Sequence, residues 1–118
     1  MDKTQNPKPH DLGERTKKFA KRVREFAKNI PKTLANIEDG KQLIKSSGLV
    51  GANYIEAEEA LSKKDFVMRA KICRKEAKES RYWLELIESE DRIEEQESLI
   101  KEAIELTKIF GSIVEKSK

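Results

Sequence analysis

The chain has 118 residues, of which 36% are hydrophobic and 40% are Asp, Glu, Lys or Arg, and its net charge is +3. This length fits one domain, but the low hydrophobic content favours long amphipathic helices that bury part of their apolar surface between subunits over a large core within one subunit. The single cysteine excludes an intrachain disulfide, and the chain has neither a signal peptide nor an apolar run near the ~20 residues that span a bilayer, so we expect a cytoplasmic protein without membrane contact.

The first ten residues and the segment that follows them differ in pattern. Residues 1–10 contain two prolines and no apolar periodicity, which predicts a flexible leader. Apolar residues then recur at helical spacing from about Asp11, a suitable N-cap residue, and the pattern ends before Pro31. The sequence therefore predicts a first helix over residues 11–29.

A second, longer helix is predicted over residues 32–61, with Leu34 and Leu61 among its inward-facing side chains. It contains residues 46–55, a run without any charged side chain, and three glycines that each cost about 1 kcal/mol relative to alanine in a helix interior. The alternative is a loop at residues 46–51. Because the apolar residues keep helical phase across the run, the pattern favours one continuous helix.

The second half of the chain continues the helical pattern. Ser62 and Asp65 have the spacing of a capping box, which predicts a third helix over residues 63–88. Acidic residues then mark a turn, and a fourth helix is predicted over residues 94–116. Four helices with short connections and no strand alternation predict an all-α protein, an antiparallel up-down four-helix bundle that forms a single domain over residues 11–118.

The residues needed for catalysis or metal binding are sparse. Helical bundles that hold two metal ions use two Glu-x-x-His motifs, but the only histidine is His10, in the predicted leader. Cys73 has no histidine in phase with it, so we expect a small core residue rather than a nucleophile. The sequence therefore predicts no catalytic, cofactor or metal site.

Four polar residues recur at the same spacing on the second and third helices. They are Asn53, Glu56, Glu76 and Glu79. A buried carboxylate needs a hydrogen-bond or charge partner, and Arg69 and the hydroxyl of Tyr54 are available. We predict a structural polar network that fixes the register of the two helices, and a metal site built from the four is the less favoured alternative.

Basic residues are concentrated in the first part of the chain. Residues 1–75 hold 18 Lys and Arg against 10 Asp and Glu, whereas residues 76–118 hold 7 against 12. One basic stripe lies opposite the apolar face of the first helix, and a second lies on the outer side of the third. The stripes consist of Lys17, Lys21, Arg24 and Lys28, and of Lys64, Lys71, Lys75 and Lys78. Both stripes predict binding to nucleic-acid phosphates, and a solvated helix face is the alternative reading of each.

The uncharged run is small or apolar almost all round the second helix. A helix of this kind must be covered on more than one side. We therefore predict an oligomer interface at Gly48, Leu49, Gly51 and Ala52, with Leu49 or Ala52 in contact with a neighbouring subunit.

Residues 47–57, 62–66, 75–80 and 82–84 together carry a family resemblance. In order and spacing they resemble the bacterial four-helix-bundle proteins encoded in intervening sequences of 23S rRNA genes. The residues that match the signature positions of this family are Asn53, Glu56, Glu76, Glu79 and Trp83. The resemblance implies a ring-shaped homopentamer with no established enzymatic activity. It also implies kinship with the accessory variability protein of diversity-generating retroelements, which binds nucleic acid and a reverse transcriptase.

Two functions are consistent with these patterns. The first is a non-enzymatic homo-oligomer, a pentamer by resemblance, that binds RNA or another nucleic acid through its basic helix faces. The alternative is an oligomeric scaffold that binds a protein partner such as a reverse transcriptase, with the basic residues serving solubility and subunit contacts.

Overall fold

A computed structural model describes residues 11–118, and the predicted leader at residues 1–10 lies outside the described residues. Four α-helices follow one another, with one short 3-10 helix at Glu90–Arg92. The α-helices are α1 (Leu12–Lys28), α2 (Leu34–Glu58), α3 (Lys63–Leu86) and α4 (Ile93–Lys116). No strand occurs between residues 11 and 118, and the prediction of an all-α four-helix bundle is confirmed.

The helices are arranged so that α1 and α3 occupy opposite corners of the bundle, each packed against α2 and α4. Successive helices run antiparallel. The core between them contains the three fully buried phenylalanines and a set of aliphatic side chains from all four helices. Its largest members are Phe19, Phe26, Phe110, Leu12, Leu43, Leu84, Leu99 and Leu106. Burial of this apolar face, rather than helix propensity, is the main source of stability in such helices.

Side-chain caps fix where two of the helices begin. The Ser62 hydroxyl accepts a hydrogen bond from the backbone N–H of Asp65 at 3.0 Å, so the predicted start of α3 is confirmed. At α2 the Thr33 hydroxyl accepts from the N–H of Asn36 at 3.1 Å, which places the helix start two residues later than predicted. Asp11 occupies the N-cap position of α1, but its side chain makes no capping hydrogen bond.

The uncharged run at residues 46–55 is helical throughout, so the prediction of a continuous α2 is confirmed and the loop alternative is wrong. Its small side chains allow α3 to approach α2 closely. The Ser46 and Ser80 hydroxyl oxygens lie 2.9 Å apart in the buried seam between these helices. The Cys73 thiol on α3 donates to the carbonyl oxygen of Val50 at 3.4 Å.

The predicted inward orientation of two leucines on α2 is wrong. Leu34 is 80% exposed and Leu61 is 99% exposed. Leu34 is the first residue of α2, and Leu61 lies in the link between the end of α2 and the Ser62 cap. Helical phase therefore overestimated burial where the helix has no neighbour to cover its first turn or has already ended. The third helix also ends at Leu86, before the predicted boundary at residue 88.

Two amides connect the helix ends, and the sequence patterns did not identify them. The Asn36 side chain donates to the carbonyl oxygens of Pro31 and Glu88 at 2.9 and 2.8 Å and accepts from the N–H of Glu88. The Gln96 amide donates to the carbonyl oxygens of Leu84 and Ile87, both at 2.7 Å. The Gln96 amide satisfies carbonyl groups at the C-terminal end of α3, and the Asn36 amide satisfies backbone groups in the links before α2 and after α3.

Candidate nucleic-acid interface

The four predicted cations of α1 are all exposed, because the opposite face of the helix packs into the core. The Arg24 guanidinium donates to the carbonyl oxygen of Ala20 at 3.2 Å, one turn earlier on the same helix. The Lys28 ammonium lies 3.7 Å from the Glu25 carboxylate, and this exposed pair partly compensates its charge. Lys17, Lys21 and Arg24 form no ion pair with a carboxylate of residues 11–118.

Three of the four predicted cations of α1 and three of the four predicted interface residues of α2 line the same groove, which we call the α1/α2 groove, whereas Lys28 and Leu49 lie outside it. Its rim carries Lys17, Lys21 and Arg24, its volume is about 550 Å³, and its floor consists of small and aliphatic side chains from both helices. The floor residues include Thr16, Ala20, Gly48, Gly51, Ala52 and Ile55. Two sets of residues that the sequence treats as separate sites, one for phosphate and one for a subunit, therefore share one surface.

Glycine at position 51 is explained by packing within one chain. A Cβ atom there would lie 3.0 Å from the hydroxyl oxygen of Thr16, closer than an ordinary contact, so a side chain at this position would require Thr16 to shift. At Gly48 the nearest atom would be the tip of the flexible Arg24 side chain, at 3.6 Å. Ala52 is exposed and Leu49 is half-buried, and these two stay available for the predicted subunit contact.

A second basic groove lies along the outer side of α3, and we call it the α3 groove. It has a volume of about 540 Å³ and is lined by four cations, one carboxylate and two aromatic rings. The lining residues are Lys71, Arg74, Lys75, Lys78, Glu79, Tyr82 and Trp83. The rings of Tyr82 and Trp83 are 4.9 Å apart between centroids and inclined by 71°, an edge-to-face arrangement.

Lys64, the remaining predicted cation of α3, lies away from the α3 groove. It lines a neighbouring depression with Lys71, whose floor is Val67 and Met68 and whose far side is Ser117 at the end of α4. Lys71 lines both depressions, so the cations of α3 form one continuous exposed stripe.

The predicted polar network is present only in part. The Asn53 amide donates to the carbonyl oxygen of Leu49 at 2.9 Å and accepts from the Arg69 guanidinium at 3.1 Å, so a polar contact connects α2 to α3 without either glutamate. Glu56 and Glu79 are exposed, and neither makes a side-chain hydrogen bond or ion pair with another residue of the described part of the chain. The prediction that all four residues form one network is wrong, because helical phase turns these two carboxylates towards solvent.

Glu76 is the buried carboxylate of the set, and its partner is a lysine of its own helix. The Lys75 ammonium lies 3.7 Å from the Glu76 carboxylate. Burial raises the pKa of Glu76, the negative charge of Glu79 raises it further, and Lys75 opposes both effects. Glu76 is therefore a buried carboxylate paired with Lys75 rather than with Asn53.

Cys73 has the surroundings of a structural thiol. It is fully buried, and burial raises its pKa to about 12, so it is protonated at neutral pH. A protonated thiol is a poor nucleophile. No three His, Cys, Asp or Glu side chains between residues 11 and 118 form a group that could hold a metal ion.

Sequence patterns missed Arg74 as a member of the basic surface. Its aliphatic stem passes over Gly111 of α4, 3.7 Å from where a Cβ atom would be, and its position between Lys71 and Lys78 follows the helical repeat. The i, i+3, i+4, i+7 spacing of the residues at 71, 74, 75 and 78 could have identified it.

The helices that the structure describes include none with the length and apolar character needed to cross a membrane.

The chain is similar to known proteins in both sequence and structure. The sequence profile of the 23S rRNA-intervening sequence protein family matches residues 10–112. The crystal structure of a protein with unknown function from the S23 ribosomal protein family of Bacteroides thetaiotaomicron is similar to this chain, with 32% sequence identity and a TM-score of 0.71. The similarity covers 87% of this chain and 97% of that one. No curated protein matches the chain.

Proposed function

The chain belongs to the 23S rRNA-intervening sequence protein family, and from this premise we propose that it acts without catalysis, as a cytoplasmic homo-oligomer that binds RNA. The basic surfaces of α1 and α3 would provide the contacts to phosphate. The kinship with the accessory variability protein of retroelements stays a prediction of the sequence resemblance.

The observation that carries this proposal is the composition of the α3 groove. Lys71, Arg74 and Lys78 lie in one groove without an ion-pair partner among residues 11–118, and two aromatic rings lie beside them. Cations that are not already paired can replace the counterions of a phosphate backbone, and release of those counterions is the main source of non-specific affinity for nucleic acids. Aromatic rings among such cations are typical of surfaces that also contact bases.

An oligomer would repeat the basic surface of each subunit. This repetition favours RNA as the ligand more than the modest net charge of one chain does. The net charge of +3 is modest, but each subunit of a ring would add one α3 groove to a common surface. Several weak sites on one strand bind far more tightly than one site, provided that the strand spans the distance between them.

A direct test compares RNA binding by the parent and by the triple variant Lys71→Glu, Lys75→Glu, Lys78→Glu, at two salt concentrations. We expect the variant to bind about 10- to 100-fold more weakly and the slope of log affinity against log salt to fall by about two units, because three phosphate contacts are lost. The matched control reverses three lysines of other surfaces, Lys41, Lys101 and Lys108, which are also exposed. Equal loss in the control, or no binding by the parent, would refute the proposal.

The homo-oligomer, which we propose to be a pentamer, has its own test. The exposed and half-buried residues of the uncharged run, Ala52 and Leu49, are the proposed contacts between subunits. Native mass spectrometry should give five copies for the parent and a smaller assembly for Leu49→Arg. A monomeric parent, or a variant with the same mass as the parent, would contradict this part of the proposal.

A scaffold that binds a protein partner is the second candidate, and the α1/α2 groove favours it. The floor of this groove is aliphatic, and Ile55 within it is 59% exposed. A groove of this kind fits an amphipathic helix with acidic edges. Purification from the native cells with and without nuclease distinguishes the two, since a protein partner that is recovered equally in both would favour the scaffold.

A further inference from the structure

We propose that the ligand of the α3 groove is single-stranded RNA, with one unpaired base stacked on Tyr82 and the adjoining phosphates bound by Lys71, Lys75 and Lys78. This inference rests on the proposed RNA binding and narrows it to one structural class of RNA.

The position of Tyr82 is the first observation. Its side chain is 55% exposed on α3, with the Trp83 ring packed against it edge to face. A single exposed aromatic side chain is common on protein surfaces, and beside a row of cations its exposed ring can stack on a base. The exposed part of the phenol ring therefore offers a stacking surface at one end of the row of lysines.

The neighbouring tryptophan keeps this platform in one orientation. Trp83 packs against the hydrophobic core, so its ring is anchored. The Tyr82 ring meets it edge to face at a centroid distance of 4.9 Å. A ring that is already oriented loses little conformational entropy when a base stacks on it, which makes stacking more favourable.

The cations are spaced along the same side of the helix. Lys71, Lys75, Lys78 and Tyr82 follow one another at intervals of four, three and four residues. At 1.5 Å per residue the three lysines cover about 10 Å of the helix, and Tyr82 lies about 6 Å beyond the last of them. A single strand that follows this stripe can place phosphates on the lysines and one base on the ring.

A duplex cannot use the surface in this way. Its bases are paired and stacked inside, so it offers phosphates to the lysines but no free base to Tyr82. An acidic peptide would likewise satisfy the cations and leave the ring without a stacking partner. Only a strand with unpaired bases uses both components of the groove.

The test compares two 12-nucleotide strands with the same number of phosphates, oligouridylate and a fully abasic strand, on the intact protein. We expect the parent to bind oligouridylate about tenfold more tightly than the abasic strand, the range measured for removal of one stacking contact. Tyr82→Leu should lose this preference, whereas Tyr82→Phe should keep it. Leu86→Ala removes exposed apolar surface one turn further along α3 and should keep it as well.

Trp83 provides a second readout, since it is the only tryptophan of the chain and lies beside Tyr82. Oligouridylate should quench its fluorescence, and the abasic strand and a polyglutamate of equal charge should not. Equal affinity for the two strands would overturn the stacking inference while leaving RNA binding intact. Binding of polyglutamate as tightly as oligouridylate would assign the groove to acidic peptides and also overturn it. Absence of binding to any strand would instead refute the proposed function itself.

Discussion

The α1/α2 groove and the α3 groove are alike in size and charge and differ in what lies between the cations. Their volumes are about 550 and 540 Å³, and at least three exposed or half-exposed cations border each. Small and aliphatic side chains form the floor of the first, whereas an aromatic pair lies in the second. The arrangement of cations alone therefore does not distinguish the two surfaces.

The difference indicates two origins for the same charge pattern. In the α1/α2 groove two helices approach each other through Gly51, and the Arg24 guanidinium lies close to Gly48, so the cations border a helix seam. In the α3 groove the cations lie beside the Tyr82 ring, which is 55% exposed and meets Trp83 edge to face. The cations of the first groove border a packed seam between two helices, whereas those of the second lie beside a partly exposed aromatic ring. We therefore expect RNA binding to depend more on the cations of α3 than on those of α1.

The largest effect on stability is expected for a substitution of Gly51, which lies in the α1/α2 groove. Gly51→Val would place its Cβ atom 3.0 Å from the Thr16 hydroxyl oxygen, which is held by a hydrogen bond of 2.6 Å to the carbonyl oxygen of Leu12 and cannot move freely. We expect a loss of about 2 kcal/mol in the free energy of unfolding, the usual result of overpacking. Urea denaturation of the parent and the variant measures it.

Gly48→Ala is the matched control on the same helix. Its Cβ atom would meet only the end of Arg24 at 3.6 Å, an ordinary contact, so we expect the variant to gain about 0.5 to 1 kcal/mol from helix propensity. Equal stability of the two variants would mean that the approach of α1 to α2 does not depend on Gly51.

The next largest effect is expected on RNA binding, from changes to the cations of α1. Charge reversal at Lys17, Lys21 and Arg24 should weaken RNA binding by about three- to tenfold, less than the same change at three lysines of α3, because no aromatic ring in the α1/α2 groove adds a base contact. The binding assay with the two triple variants side by side measures this difference. An α1 variant that loses more affinity than the α3 variant would reverse the assignment of the two surfaces.

The sequence was sufficient for the fold because periodicity and caps act locally. The continuous α2 follows from helical phase, and the start of α3 follows from the hydroxyl of Ser62. The exposure of Leu61 could not be predicted, because it depends on where the helix stops and on which neighbours are present there.

The candidate site was less predictable, since it depends on which helices become neighbours. Periodicity placed Lys17 and Gly48 on their helices correctly, but only the antiparallel packing of α1 on α2 brings them to one groove. Asn53 reaches Arg69 across the α2–α3 seam, whereas Glu56, three residues further on, faces solvent. Spacing along one helix gives no information about the helix opposite.

A smaller effect on stability is expected at Glu76, a buried residue of α3. Burial raises its pKa in the folded protein, so folding is favoured while Glu76 is protonated, and this stability is lost as the pH rises through the raised pKa. We therefore expect Glu76→Gln to be more stable than the parent at pH 7, with the two curves converging as the pH falls below about 4. The lost ion pair with Lys75 opposes this gain only weakly, since Lys75 is exposed.

Denaturant unfolding between pH 4 and pH 8 measures this difference, and Glu56→Gln is the control at an exposed position of α2. The control should change stability little at any pH. A stability difference between Glu76→Gln and the parent that does not depend on pH would show that the loss of packing or of the Lys75 contact, rather than titration of Glu76, determines it.

The smallest effect should come from Glu79, the one carboxylate that lines the α3 groove. Glu79→Gln removes a negative charge beside the proposed path of the RNA backbone, so we expect affinity to rise about twofold, the scale of a solvent-exposed charge. Glu97→Gln, on the acidic part of α4, makes the same change in net charge away from α3 and should have less effect. Because Glu79 also raises the pKa of Glu76, its removal should reduce the stability that Glu76→Gln gains at pH 7. An equal gain for oligouridylate and the abasic strand would assign the role of Glu79 to phosphate repulsion. A gain for oligouridylate alone would instead mean that Glu79 restricts access of the base to Tyr82.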